Sequence, residues 1–508
     1  MITFELKRFI NQGTPKYRTE RRSHQNPMIR YKISSENPHS HFLNIEMVID
    51  DIQSESIELQ LPAWRPGRYE LQHFAKNIQR FEILNLEGEA IDFHKLTKDR
   101  WLIYTSDFQD ITIKFTYFAN VQNAGSSYVD EGVMYVNFVN CLPYVEGRME
   151  EACEVILDIP DTYKIACGVK SEGNILKAKN YYQIVDSPLL ASPYLQHEIY
   201  RIEEVDFYVW FLGNYTPDWK TLIPDFHKFT EKQIEIMGDF PEKEYHFINW
   251  ILPTSFYHGV EHGNSTMIVL GPDSEGEGLY QDLLGISSHE LYHAWNICKI
   301  RPVELMPYDF TKETYFSTGF VAEGVTTYFG DLFLVQSGIF SVEQYLKELE
   351  TVLKRHFEQD GKAFQSLVES SFDLWLDGYS QAIPNRRVSI YQKGAIVSLV
   401  LDLTIRLKFN HQKSLGGVMK MLWERFGKTN VGYSIEDYRR VCEEVYEGSL
   451  KAYFKDCIYG NMPLETMVNE LLQAFGLMMQ WNEEGKLHLE LMDAENENLK
   501  MWLNVSEN

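Results

Sequence analysis

Cysteine is scarce in this chain, six in 508 residues, at positions 141, 153, 167, 298, 442 and 457, with no C-x-x-C pair among them. That excludes a disulfide scaffold and a cysteine-based zinc site, and the six are read as free thiols. Long apolar runs are missing too: none approaches the roughly eighteen residues a membrane-spanning helix needs. Positive charge is in deficit, with 48 Lys plus Arg against 73 Asp plus Glu and a net charge of −25. Nucleic acids and anionic membranes reward Lys and Arg clusters, so neither is expected as a partner. Internal repeats and low-complexity segments are also lacking. The first 27 residues carry Lys7, Arg8, Lys16, Arg18, Arg21 and Arg22 without an apolar core, so they do not read as a signal peptide. The expected compartment is therefore the cytoplasm, and residues 1–27 are read as an extension ahead of Met28. With 44% hydrophobic and 14% aromatic residues, the chain is an ordered globular protein long enough for several domains.

One short run carries chemistry on its face: His289-Glu290-Leu291-Tyr292-His293. On a helix, residues four apart share a face, so His289 and His293 can bind one metal ion with Glu290 beside it. Such an ion makes water acidic, and a glutamate next to it can accept the proton. A structural zinc site wants four protein ligands, usually with Cys, whereas a catalytic one takes three, so one further ligand must come from elsewhere. A chance match on an ordinary amphipathic helix is the competing reading of the pentapeptide alone.

Longer stretches narrow the choice. The runs H-E-L-Y-H-A-W-N-I-C-K-I-R-P (289–302), A-E-G-V-T-T-Y (322–328) and Y-Q-K-G-A (391–395) resemble the glycyl aminopeptidase family of gluzincin zinc peptidases, as does L-P-A-W-R-P-G-R-Y (61–69) upstream. The resemblance spans about Met28 to Phe475. It implies one zinc ion per chain, with Glu323, on a second helix, as the third ligand beside His289 and His293, and Glu290 as general base. It implies Tyr391 as hydrogen-bond donor to the oxyanion, with Tyr379 as the fallback. Glu261, in the run Gly259-Val260-Glu261, is implied as the anion that holds a substrate's free ammonium, on a strand whose exposed edge pairs with an extended peptide. His258 and His262 are read as edge residues, and Leu61–Tyr69 as a turn between strands without a catalytic group. Thr327 stands where thermolysin-like enzymes can carry an acid behind a zinc-bound histidine, and Asp331 is a doubtful replacement.

The expected fold is multidomain α+β. Residues 28–205 alternate apolar and polar positions between turn signals and read as a β-sandwich-like domain. Residues 206–340 mix strands with the metal helix, as in a thermolysin-like catalytic domain, and 341–508 show helical periodicity. Only some forty-five residues follow Pro463, too few for the PDZ domain typical of the family, and they read as a helix plus a short remnant. The expected activity is removal of an N-terminal residue, small ones such as Gly or Ala preferred, from peptides with a free N-terminus. A gluzincin endopeptidase and a non-catalytic zinc- or peptide-binding protein remain open, as does the oligomeric state.

Overall fold

The computed structural model describes residues 29–273, 277–379, 383 and 386–505. Strands Ile29–Ser34 and Phe42–Ile49 show why the first part is β-rich. Every second residue is buried, and the two strands pair antiparallel with Tyr31 opposite Met47. They belong to a seven-stranded sheet, and a four-stranded sheet contributes to the same core, in which Ile33, Ile45, Leu59, Ile103 and Ile113 are wholly buried.

A five-stranded sheet forms the floor of the catalytic part. Its order runs Gln196–Ile202, Val205–Gly213, Glu244–Ile251, Ser265–Gly271 and Phe256–Glu261. The three central strands are parallel, and Ser265–Gly271 is buried along its whole length, as expected for a strand covered on both faces. Phe256–Glu261 runs antiparallel at the edge. Since Gln196–Ile202 pairs with Val205–Gly213 across a tight turn, a boundary at 205 would split this hairpin, and we propose to place it near 195.

Helix Glu277–Tyr292 packs on this sheet and against helix Thr326–Gln336. The amphipathic helix Val342–Phe357 starts at a capping box between Ser341 and Gln344, and the buried helix Gln392–Lys408 follows. The tail, expected as a helix plus a short remnant, includes two strands. Helix Glu465–Ala474 is followed by a hairpin of Leu477–Trp481 with Leu487–Leu491, then by helix Glu497–Leu503. Leu477, Met479, Leu487 and Leu489 alternate inward, a period-two pattern too short to outweigh the helices around it. Trp502 anchors this tail. Its Nε1 donates to the Tyr328 hydroxyl at 3.0 Å, and that hydroxyl donates to Asp402 at 2.6 Å. Among the described residues no helix is long and apolar enough to cross a membrane.

Candidate metal centre and active site

The structure ends the metal helix at Tyr292, so His289 lies in its last turn and His293 is the first residue beyond it. The helical spacing still holds. The two Nε2 atoms lie 3.1 Å apart, and the rings meet edge to face with centroids 4.8 Å apart. Glu323 does not sit on a regular helix. It occupies a π-helical turn, Phe320–Val325, that leads into Thr326–Gln336, the kind of local widening that recurs at functional sites. Its Oε2 lies 3.4 Å from His293 Nε2 and 4.0 Å from His289 Nε2. The three ligand atoms fall within 4.8 Å of one another. Two imidazoles and one carboxylate fit zinc with an open position.

Two glycines explain how these elements approach. A Cβ on Gly324 would overlap the backbone of Gly394, and one on Gly394 would lie 2.7 Å from the Gly324 Cα. The Glu323 turn and the start of helix Gln392–Lys408 therefore touch backbone to backbone, which carries Tyr391 toward Glu323. Asn296 fixes the other side. Its Nδ2 donates to the carbonyls of Val321 at 2.8 Å and Ala322 at 3.1 Å, while its own carbonyl accepts from His293 Nδ1 at 2.8 Å. That bond fixes the tautomer that turns Nε2 toward the metal, a role often held by an acid. It is filled here by backbone, one reason Thr327 needs no carboxylate.

The edge strand brings the remaining residues together by its period of two. Gly259 and Glu261 face the metal set. A Cβ at 259 would overlap the Glu290 carboxylate, and a Cβ at Gly67 would lie 2.6 Å from both Glu261 oxygens. Val260 points the other way. Its side chain is buried with Trp250, Met267 and Val269, so any contact it makes with substrate is through its main chain. His258 also faces away, its Nδ1 accepting from the Ala124 N–H at 3.3 Å.

Charge is concentrated in this space. Burial pushes the Glu290 carboxyl up to about 8, against the pull of His293 and with the push of Glu261 and Glu323, and its Oε2 has no partner. Burial likewise raises Glu261, against His293 and with Glu323. For Glu323, burial works upward, but a hydrogen bond from His293, the charge of both histidines and a bond from Tyr69 hold it below the ordinary range. The imidazoles diverge. Burial and the charge of His293 bring His289 down to about 3, whereas His293 rises to about 10 because its carboxylate neighbours outweigh burial. Three acids around two imidazoles make a strong demand for positive charge, which a dication meets. Burial, then Glu323, Tyr379, Glu261 and Glu290, keep the Tyr391 phenol protonated. Tyr379 is 44% exposed, with the Arg68 guanidinium stacked 3.9 Å from its ring centre.

The segment Leu61–Tyr69, read from the sequence as a turn without a chemical role, reaches the metal centre. Tyr69 OH donates to Glu323 Oε1 at 3.2 Å, Ala63 N–H donates to the Phe310 carbonyl at 2.7 Å, and Trp64 Nε1 donates to the Asp309 carbonyl at 2.8 Å. Trp64 also packs edge to face on Trp375, centroids 5.4 Å apart. A loop of the β domain thus straps that domain to the catalytic one and holds the Glu323 carboxylate of the candidate metal set. The Trp and Pro-Gly of this run signalled a fixed loop, but no local pattern pointed to a glutamate 254 residues away.

With the geometry described, relatives can be compared. Residues 30–193 match the Peptidase M61 N-terminal domain and residues 282–397 match the M61 glycyl aminopeptidase domain. A solved structure of an aminopeptidase N family protein from Idiomarina loihiensis is 31% identical, with a TM-score of 0.84 over 89% of this chain and 79% of its own. The chain belongs to the M61 glycyl aminopeptidase family. It is thus a peptidase with a metal-binding H-E-x-x-H motif. An M1 zinc metallopeptidase from Deinococcus radiodurans shares the fold at 12% identity, with a TM-score of 0.52 over 86% of this chain and 94% of its own. No curated protein matches the sequence.

Membership gives the Tyr69 contact a measurable consequence. Bonds that orient a metal ligand are worth about 10- to 100-fold in metal affinity. Tyr69→Phe keeps the ring and loses only the bond to Glu323, so zinc affinity, read by competition with a chromogenic chelator, is expected to fall in that range. Unchanged affinity would leave Tyr69 a packing residue.

Proposed function

We propose that this M61 peptidase is a zinc aminopeptidase that releases the first residue of peptides with a free N-terminus, small residues such as Gly and Ala being preferred. The preference comes from the family resemblance. The observation that carries the exopeptidase reading is the place of Glu261: a half-buried carboxylate on the edge strand, two residues from the Gly259 that abuts Glu290, and close enough to His293 and Glu323 to feel their charge. An anion held that close to the metal set limits the substrate to one residue on the amino side of the scissile bond.

His289, His293 and Glu323 would hold one zinc ion. Zinc bound there supplies Lewis acidity toward the scissile carbonyl and toward water. The substrate adds to the edge strand through main-chain bonds at Gly259 and Val260, and Glu261 takes its ammonium. Glu290, with its unpartnered Oε2, accepts the proton of the attacking water and passes it to the leaving amine. Tyr391 donates to the oxyanion as the carbonyl becomes tetrahedral.

Glu261→Ala tests the ammonium site. The KM for alanyl amide reporters is expected to rise by about 10- to 100-fold with a smaller change in kcat, since this contact exists before and during the reaction. An unchanged KM would return the endopeptidase reading.

A further inference from the structure

Strand Phe256–Glu261 stands last in its sheet: one edge pairs with Ser265–Gly271, and among the described residues no strand pairs with the other. Alternation puts Tyr257, Gly259 and Glu261 on one face, the face turned to the metal helix. Strand and helix run alongside each other. A Cβ at Gly259 would overlap the Glu290 carboxylate and lie 2.9 Å from the Ile286 side chain. Tyr257, two residues further from Glu261, feels the charge of Asp282, one turn before Ile286 on that helix.

Glu261 serves the ammonium and Gly259 flanks the scissile bond, which leaves Tyr257 on this face without a part in the reaction. It is 60% exposed, the only large side chain of the three. An aromatic ring left open on a peptide-binding face is apolar area that a substrate side chain can cover. The hydroxyl end has other surroundings. Burial there, then Asp331, Asp282, Glu290 and Glu348, push the phenol above its ordinary range. Asp331 is held close to the metal helix, its Oδ1 3.6 Å from where a Cβ on Gly285 would stand. The ring is therefore an apolar wall with negative charge at its far end.

We propose that Tyr257 is a specificity-determining residue for the second residue of the substrate, the one freed as the leaving amine: its ring packs an apolar side chain such as Leu, and the carboxylates at its far end exclude an acidic one. The proposal rests on the aminopeptidase reading above and extends it past the scissile bond; the first residue stays small. With its ammonium at Glu261 and its scissile bond beside Glu290, an extended peptide runs antiparallel to the strand, and its leaving part passes toward Tyr257. Two strand residues span about 6.7 Å, and an aromatic side chain reaches a cross-strand neighbour directly or on the diagonal. A carboxylate arriving there meets like charge, which the carboxamide of the same shape does not.

The test uses full-length zinc-loaded protein with the amides of Ala-Leu-Gly, Ala-Gly-Gly, Ala-Asn-Gly and Ala-Asp-Gly, and with N-acetylated Ala-Leu-Gly amide, following the initial rate of cleavage after alanine. The wild type is expected to show a kcat/KM about five- to tenfold higher with Leu than with Gly at the second position, the effect of covering part of one leucine side chain. It is also expected to favour Asn over Asp at least about fivefold. Tyr257→Ala is expected to bring the Leu-to-Gly ratio toward one while the Asn-to-Asp preference persists, because the ring sets the first and the carboxylates the second. Tyr257→Phe, which keeps the ring, is expected to keep the Leu-to-Gly ratio. A wild type that treats Leu and Gly alike, or Asp and Asn alike, overturns the proposal whether or not the variants fold. So does a Tyr257→Ala variant that retains the Leu-to-Gly ratio. Cleavage of the N-acetylated peptide as fast as the free one would overturn the aminopeptidase reading itself, an outcome read separately from these ratios.

Discussion

Glu290→Gln is expected to lower kcat/KM on free-amine reporters by at least about a thousandfold, within the range a positioned general base contributes, while the protein still binds zinc. The substitution is nearly isosteric, and the space is set by Gly259, whose missing Cβ leaves room for either side chain. His289, His293 and Glu323, the residues that would hold the metal, are untouched, so metal content is a control that separates loss of the base from loss of the site. Stability is expected to move the other way. Glu290 is 6% exposed, its carboxyl is pushed up to about 8 by burial first and by neighbouring acids, and Oε2 has no partner. Replacing it with a neutral amide removes a buried like charge, so the melting temperature should be unchanged or higher. A variant that turns over at the wild-type rate would show that another group takes the proton.

Tyr391→Phe is expected to reduce kcat by about a hundred- to a thousandfold, the usual cost of one oxyanion donor, with KM little changed. In the proposed role the phenol would form a bond only as charge develops on the carbonyl oxygen, so its loss would be felt in the transition state. Its place depends on the Gly324–Gly394 contact, which fixes the start of helix Gln392–Lys408 against the Glu323 turn. If kcat holds and the same change at Tyr379 lowers it, the donor is Tyr379, held now under the Arg68 guanidinium.

The pairing of His289 with His293 was legible in the sequence because helical geometry translates spacing directly into distance, two histidines four apart sharing a face; Glu323 came only from the family resemblance. The fold class was legible for a similar reason, since alternating burial in Phe42–Ile49 and three- to four-residue spacing in Val342–Phe357 each mark one kind of element. What escaped was long-range. Tyr69 and Arg65 sit in a loop whose local pattern says only that the chain turns, and their partners lie in the other domain. The hairpin Leu477–Trp481 with Leu487–Leu491 was hidden by its length, and the place of Gln196–Ile202 by its pairing across the boundary. Val260 was grouped with Gly259 and Glu261 by adjacency, whereas a strand sends neighbours to opposite faces.

The most direct test compares glycyl and alanyl amide reporters with their N-acetylated forms, with and without chelator, on protein whose zinc has been quantified. The account predicts one zinc per chain, cleavage of the free-amine forms alone, and loss of that cleavage on chelation with return on added zinc. Equal cleavage of the acetylated forms, or cleavage that survives removal of the metal, would contradict it.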